Sequence, residues 1–263
     1  VIRALHDLRS RPDLGAQIPA ISRASWPPFL LHSNVENWES LLLRFPEFQF
    51  VLCEPGNEVI AVGHAVPIPW DGSPEDLPET INGILRRANA ALDGGGATHA
   101  LCALAAMVRP DHRGHGLSAV VVQAMRDLAR RRGLRSLVAP VRPTHKSLHP
   151  ETSMEEYIAR TRADGMPYDP WIRIHLRLGA HFRRVVPASL MVEATVREWE
   201  EWTGLRFART GAFAVPGALR LVSIDREANR GRYEEPNVWM DHPMDETGTP
   251  RDESSIREDR MVR

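Results

Sequence analysis

The segment Ala105 to Gly133 reads AAMVRPDHRGHGLSAVVVQAMRDLARRRG: an apolar run, a charged turn with two glycines, then an amphipathic stretch. Leu117, Val120, Val121, Ala124, Met125 and Leu128 recur at i, i+3, i+4, i+7, i+8 and i+11, which predicts a helix with one buried face. Arg130, Arg131 and Arg132 fall at its C-terminal end, where the helix dipole is negative, and Gly133 suits a left-handed cap. No Asp or Glu stands between Ser118 and Gln123, in the first turn, where an acidic side chain usually meets the positive end of the dipole. An external anion can take that place.

The turn before the helix, Arg113 to Ser118, presents successive backbone N–H groups at a positive helix terminus, and Gly114 and Gly116 allow close backbone approach. A pyrophosphate fits such a cradle. Neither common phosphate fingerprint is present: there is no GxxxxGK[ST], and Gly114-His115-Gly116 continues as Leu117, Ser118, Ala119, which breaks GxGxxG. The plainer reading is a strand-turn-helix corner whose glycines serve tight packing. The run Val108-Arg-Pro-Asp-His-Arg113-Gly-His-Gly116-Leu-Ser118 resembles motif A of the GNAT (Gcn5-related N-acetyltransferase) superfamily, V-x-P-x-x-[RQ]-x-x-G-x-[GA], with Ser118 where Gly or Ala is usual.

That resemblance implies acetyl-CoA or another acyl-CoA as co-substrate, its pyrophosphate on Arg113, Gly114, His115, Gly116, Leu117 and Ser118. Its pantetheine amides would lie on the backbone near Met107 and Val108. The implied fold is α/β (α+β): a mixed, splayed central sheet with helices on both faces, the coenzyme threading the gap between two parallel strands. The chain then divides into one acyltransferase domain over residues 1–240, with insertions at 67–98 and 144–168 and an extended C-terminal hairpin. Residues 241–263, polar and charged, read as a disordered tail.

Composition agrees with a globular protein: 263 residues, 43% hydrophobic and 25% charged, leave ample material for a core. A formal net charge of −1 supplies no bulk attraction for nucleic acid or an anionic membrane, so neither is an expected partner. Lys146 is the sole lysine, as a G+C-rich coding sequence would leave it. Cys53 and Cys102, far apart in apparent strands, read as buried thiols of a reducing cytoplasm. No leader or run of membrane-spanning length appears, and the opening Val1 reads as a trimmed N-terminus.

Upstream of the glycine turn, Ile2 to Leu5 reads as a strand and Leu14 to Ser25 as helical. Asn34 with Asn37 reads as the cap of a second helix through Phe45, and Phe48 to Cys53 and Val59 to Val66 as a hairpin. The insertion after it holds Trp70, which either shapes an acceptor pocket or packs its loop on the core, and a helix from Thr80 to Leu92. Downstream, Ser136 to Val141 is the second strand of the pair. Ser153 with Glu156, and Thr195 with Glu198, are capping boxes, and Asp169-Pro170 opens a helix to Leu178. Phe182 to Val192, Ala218 to Ile224 and Arg232 to Met240 are further strands. Glu234-Glu235-Pro236-Asn237-Val238-Trp239 is distinctive but suggests no chemistry by itself.

Ile174-His175-Leu176-Arg177-Leu178-Gly179-Ala180 resembles GNAT motif B, F-Y-x-x-x-G-F, with His175 in place of the tyrosine that serves many members as general acid to the CoA thiolate. His175 can fill that role, its ordinary pKa lying near working pH, or be a satisfied structural histidine. Tyr168 is a second candidate acid. His64 and His99 are candidate bases, although some members use ordered water, and Trp171 joins Trp70 as a candidate pocket wall. The implied reaction is direct transfer within a ternary complex to the amine of a small molecule; a homodimer is compatible with the sequence.

Other chemistries find less support. His112-x-x-His115 and His145-x-x-x-His149 lack Cys or carboxylate partners at a metal-binding interval, so no metal is expected. Ser118 is not in a GxSxG elbow. Two alternatives stay open: an acyl-CoA-binding module without catalysis, and an acyltransferase fed by a carrier protein or an aminoacyl-tRNA.

Overall fold

Nine consecutive residues, Ala100–Val108, form an almost wholly apolar strand, and such a strand needs cover on both faces. The computed structural model describes residues 4–244 and supplies that cover. In chain order its elements are β1 (Ala4–Asp7), α1 (Ile18–Ser25), α2 (Ser40–Arg44), β2 (Gln49–Glu54), β3 (Glu58–Ile68), α3 (Ile81–Gly94), β4 (Ala100–Val108) and α4 (Leu117–Arg131). There follow β5 (Ser136–Val141), α5 (Met154–Ile158), α6 (Pro170–Arg177), β6 (His181–Ala194), α7 (Val196–Thr203), β7 (Gly211–Phe213), β8 (Val222–Asp225) and β9 (Arg230–Pro243).

All nine strands form one mixed sheet in the order β1-β2-β3-β4-β5-β9-β8-β7, with β6 on the other side of β9. Alternation along β2 shows how it is buried: Phe50 and Leu52 join a core with α3 and α4, whereas Val51 and Cys53 meet Ile18 and Ile21 of α1. Helices thus lie on both faces of the sheet. Only β4 and β5 are parallel, and they pair over three residues, Ala100 to Cys102 against Ser136 to Val138. Beyond that point β5 stays bonded to β9 as far as Val141, and the edge of β4 that faces it has no strand partner.

Several expected elements shift, each for a visible reason. The helix expected from Asn34 begins only at Ser40, because Asn37 takes a left-handed φ of 57° and the Asn34 side chain accepts instead from the Met191 N–H at 2.8 Å. On α4, Val120 is 44% exposed and Val122 and Ala129 are buried, since the helix lies against β3, β4, β5 and α6 together and its buried arc is turned toward them. Ala218 and Leu219 precede β8; Leu219 gives its N–H to the Tyr233 hydroxyl at 2.9 Å rather than to a strand. The proposed boundary at residue 241 also moves, because β9 continues through Asp241 and His242, both buried, to Pro243. The rest of the expected tail, 245–263, lies outside the described residues.

Asp169 explains how the 144–168 insertion is tied to α6. Its buried carboxylate caps α6 by accepting from the N–H groups of Trp171 and Ile172 (2.9 and 3.2 Å), and its other oxygen accepts from His145 N–H and Tyr157 Oη, each at 2.8 Å. Replacing Asp169 by Ala removes the acceptor of four donors at once, two N–H groups of the helix cap and a buried phenol among them. We expect a loss of about 3 kcal/mol or more, read as a shift in the urea midpoint, since a cap contributes about 1 kcal/mol and a buried unpaired donor costs about 1–3.

Candidate active site

Where β4 and β5 part, a cleft of about 690 Å³ runs from the glycine loop to α6. Its long wall is the free edge of β4 from Ala103 to Val108; facing it are Ala139 to Arg142 of β5 and the β5 exit, and Trp171, Ile174 and His175 of α6 close one end. Pro140, in β5, has no N–H to offer a neighbour, which suits an edge left open to the cleft. On β4 the register to β3 slips between His64 and Ala65, so Leu104 has no partner, and this bulge lies where the cleft meets a second chamber.

At the loop end, Gly114 (φ 81°) and Gly116 (φ 74°) hold conformations that side chains rarely adopt, and a Cβ on either would stand in open space. No side chain caps α4 and no acid lies in its first turn; the first helical N–H with a backbone acceptor is that of Ala119, bonded to the Gly116 carbonyl at 3.1 Å. A cradle of uncapped N–H groups at a positive terminus fits a phosphate. Arg113 lines the cleft while its guanidinium donates to the carbonyls of Val108 and Ala24, both at 3.3 Å. Arg109 is occupied by Glu58 and Asp111.

The second chamber, about 300 Å³, shares Trp26, Leu104, Met107, Pro140 and Arg142 with the cleft. Trp38, Leu30 and Leu190 wall it, and its polar lining is Glu235 and Asn237 of β9 with Arg142, Ser22 and Ser33. Glu235 is 2% exposed and paired with Arg142, and it accepts from the Tyr233 hydroxyl, whose pKa burial and then the Glu235 charge push far upward. Among the described residues lining the two spaces, Glu235 is the only carboxylate.

The structure distributes the sequence-predicted residues unevenly. Met107, Val108, Arg113, Gly114 and Ser118 line the cleft. His115 is exposed and does not line the cleft, and the Leu117 side chain is in the core, which leaves Leu117 only its backbone N–H for a ligand. Trp171 lines the cleft with its ring edge-on to His175 at 4.6 Å. Trp70, by contrast, is 7% exposed, belongs to the core and donates to the Ser73 carbonyl at 2.8 Å; it packs its own loop and walls neither space.

Three of the proposed proton-transfer residues are also misplaced for that role. His99 lies beyond the paired end of β4, with Ala100 to Cys102 between it and the splay. His64 is 2% exposed, donates from Nδ1 to Gln49 Oε1 at 2.9 Å and lines neither space. Tyr168 stands behind the cleft-lining His145, its ring packed with His149 and Tyr157. His175 does line the cleft, but burial, then the neighbouring His242, push its pKa down to about 3, and its Nδ1 is engaged with His242, which disfavours the protonated imidazole expected of a general acid there. The sequence gives Glu235 no mark of its own: Glu234-Glu235-Pro236-Asn237 is a polar run with a proline, and the burial of Glu235 depends on Arg142, 93 positions away.

Comparison with known proteins agrees with this geometry. Residues 16–150 match the model of the acetyltransferase (GNAT) family. The chain is 31% identical over 92% of its length to the arginine N-acetyltransferase avaD of Aspergillus versicolor, covering 94% of that protein. Two solved structures share the fold: the loading GNATL domain of CurA from Lyngbya majuscula (16% identity, TM-score 0.61, 92% of this chain and 98% of that one) and the GphF GNAT-like decarboxylase in complex with isobutyryl-CoA (19%, 0.53, 91% and 98%). The chain belongs to the GNAT acetyltransferase family. It is an acyl-CoA-dependent N-acetyltransferase that acts on an amine acceptor, so the reading as a binding module without catalysis is set aside. Among the described residues no helix is long and apolar enough to cross a membrane, and no cluster of three His, Cys, Asp or Glu could hold a metal ion.

Burial pushes His64 down to about 4 from 6.5. The unfolded chain therefore binds the proton more tightly, and the stability contributed by neutral His64 is complete above about pH 6.5 and lost as pH falls toward about 4. The slope is up to about 1.4 kcal/mol per pH unit. His64→Gln, which can keep a bond to Gln49, should flatten the acid side of a stability–pH curve by that amount without changing the acetyl-CoA KM.

Proposed function

We propose that the cleft holds the acyl-CoA, with its pyrophosphate on the backbone N–H groups of residues 114–118 and its pantetheine arm along the free edge of β4, and that the second chamber holds a small cationic acceptor. The observation that carries this reading is the junction at Leu104, Pro140 and Arg142, where a chamber with one buried carboxylate opens onto the cleft. Acyl group and amine then meet inside the protein, as direct transfer requires.

The relative from Aspergillus versicolor bears the name arginine N-acetyltransferase, and this chamber has features that would receive an arginine-like molecule. Glu235 and Asn237 offer oxygens to a cationic nitrogen group, and the faces of Trp26 and Trp38 suit a guanidinium or an alkyl chain. In the reaction the neutral amine nitrogen attacks the thioester carbonyl, and unpaired N–H groups of the β4 edge stabilise the oxyanion. The new C–N bond forms as the C–S bond breaks, leaving the thiolate of CoA. The proton released by nitrogen goes to water in the chamber, while Glu235 stays ionised beside Arg142.

The experiment is a set of initial rates of acetyl-CoA consumption with arginine, agmatine, lysine and citrulline, the last a neutral isostere of arginine. Acceptance of a cationic compound with citrulline at least tenfold poorer supports the chamber; equal rates for citrulline exclude a charge-reading role for it. Glu235→Gln should lower kcat/KM for the accepted compound by about 100-fold, on the scale of 2–5 kcal/mol for a broken buried charge pair. Gly116→Val, which forces a β-branched residue to φ 74°, should raise the acetyl-CoA Kd at least tenfold by calorimetry. An unchanged Kd would remove the loop from the donor site.

A further inference from the structure

His175 and His242 form a buried chain whose protons can be assigned from its end. The Leu178 carbonyl can only accept, so His242 Nδ1, 3.3 Å away, carries a hydrogen. Burial pushes both imidazoles down, His242 to about 4 and His175 to about 3, so each is neutral near pH 7 and has one N–H. His242 Nε2 is therefore a bare acceptor, and His175 Nδ1, 2.9 Å from it, must be the donor. What remains on His175 is the lone pair of Nε2, which has no hydrogen-bond partner among the described residues, on a ring that lines the cleft.

We propose that His242 is a positioning residue that locks His175 in its Nδ1–H tautomer, so that His175 Nε2 serves the donor cleft as a hydrogen-bond acceptor for an N–H or S–H of the acyl-CoA arm. The assignment reverses the role expected of this position: it receives a hydrogen bond and gives no proton. Two groups of the ligand carry that chemistry. The pantetheine amides are present in both acyl-CoA and CoA, and the thiol exists only in CoA. The backbone explains why the lock is rigid. Leu178 follows α6 directly, so the carbonyl that sets the tautomer and His175 move as one unit, while His242 is held in β9 by its pairing with Leu137 and by the Ser136 hydroxyl bonded to its carbonyl at 3.0 Å.

This inference rests on the placement of the acyl-CoA in the cleft only for its functional half. Long-range ¹H–¹⁵N NMR of histidine-labelled, ligand-free protein reads the tautomer directly: His175 should be protonated at Nδ1 alone, and an Nε2–H signal would overturn the lock. His242→Phe should release His175 to the Nε2–H form, whereas His242→Gln, whose amide can both accept and donate, should keep Nδ1–H. Where an amide of the arm is the donor, His242→Phe should raise the acetyl-CoA KM about tenfold without raising the amine KM, His242→Gln should restore it, and adding His175→Phe to His242→Phe should cost little more. Where the thiol is the donor, the same pattern appears in the inhibition constant of CoA and the acetyl-CoA KM stays unchanged. Matched losses for acetyl-CoA and CoA in calorimetry identify an amide as the donor; a loss confined to CoA identifies the thiol. No loss for either ligand would overturn the acceptor role. If His242→Phe does not fold, the wild-type tautomer and His175→Asn against His175→Phe binding decide the matter. Should the tautomer hold while Gly116→Val leaves acetyl-CoA binding intact, the failure lies with the donor site and not with the lock.

Discussion

The site depends on an interrupted strand pair. Two parallel strands ordinarily remain bonded along their length, because each unpaired backbone group withdrawn from water costs free energy. Here β4 and β5 separate after three residues, and three local features hold them apart. The bulge at Leu104 bends β4, Pro140 removes a donor from β5, and β9 keeps β5 engaged on its other edge through Val141. The freed edge of β4 is left with N–H and C=O groups in a fixed row. A pantetheine arm, itself a chain of amides, matches such a row as a further strand would.

The second layer of the site is the polar interior of β9. Glu235, Asn237, Asp241 and His242 are all buried in a strand whose other residues are mainly core, and each is bonded to a partner. Burying a charge is costly unless it is paired, and breaking such a pair costs about 3–5 kcal/mol, so these partners are held in one arrangement. That rigidity holds Glu235 at the second chamber and, through His242, steadies His175 of α6 at the cleft wall. The C-terminal hairpin therefore takes part in both halves of the site. Its own cover comes from α7 and from Phe29, whose ring meets Trp199 at 5.4 Å and Tyr233 at 5.2 Å.

The two insertions contribute by different means. Residues 67–98 bury Trp70 and Leu77 and are pinned by Trp239 Nε1 donating to the Pro78 carbonyl at 3.1 Å, which closes the core, and Ile81 of the same insertion lines the second chamber. Residues 144–168 are drawn to α6 by Asp169, and Lys146, buried there, gives its ammonium hydrogens to the carbonyls of His149 and Leu219. Burial, more than the nearby Arg160 and Arg220, lowers that lysine to about 8. Through His145, the same insertion becomes part of the cleft wall.

Local rules were enough to read much of this from the chain. The α4 helix, the glycine turn before it, both capping boxes and the Asp169-Pro170 helix start depend on residues within a few positions of one another, and they stand where the spacing put them. The donor-side residues Gly114 and Ser118 belong to that local grammar. The acceptor side does not. Glu235 meets Arg142 across 93 positions and His175 meets His242 across 67, so nothing in either neighbourhood marks the pair. The same limit explains Trp70, His64 and His99: residue type proposed a role, and the sheet carried each away from the cleft. Sequence by itself determined most of the elements and the glycine turn before α4, because short-range sterics and helix electrostatics act within a turn or two. Only the tertiary structure decided which side chains share the site and which protons they carry, because burial and long-range pairing set both.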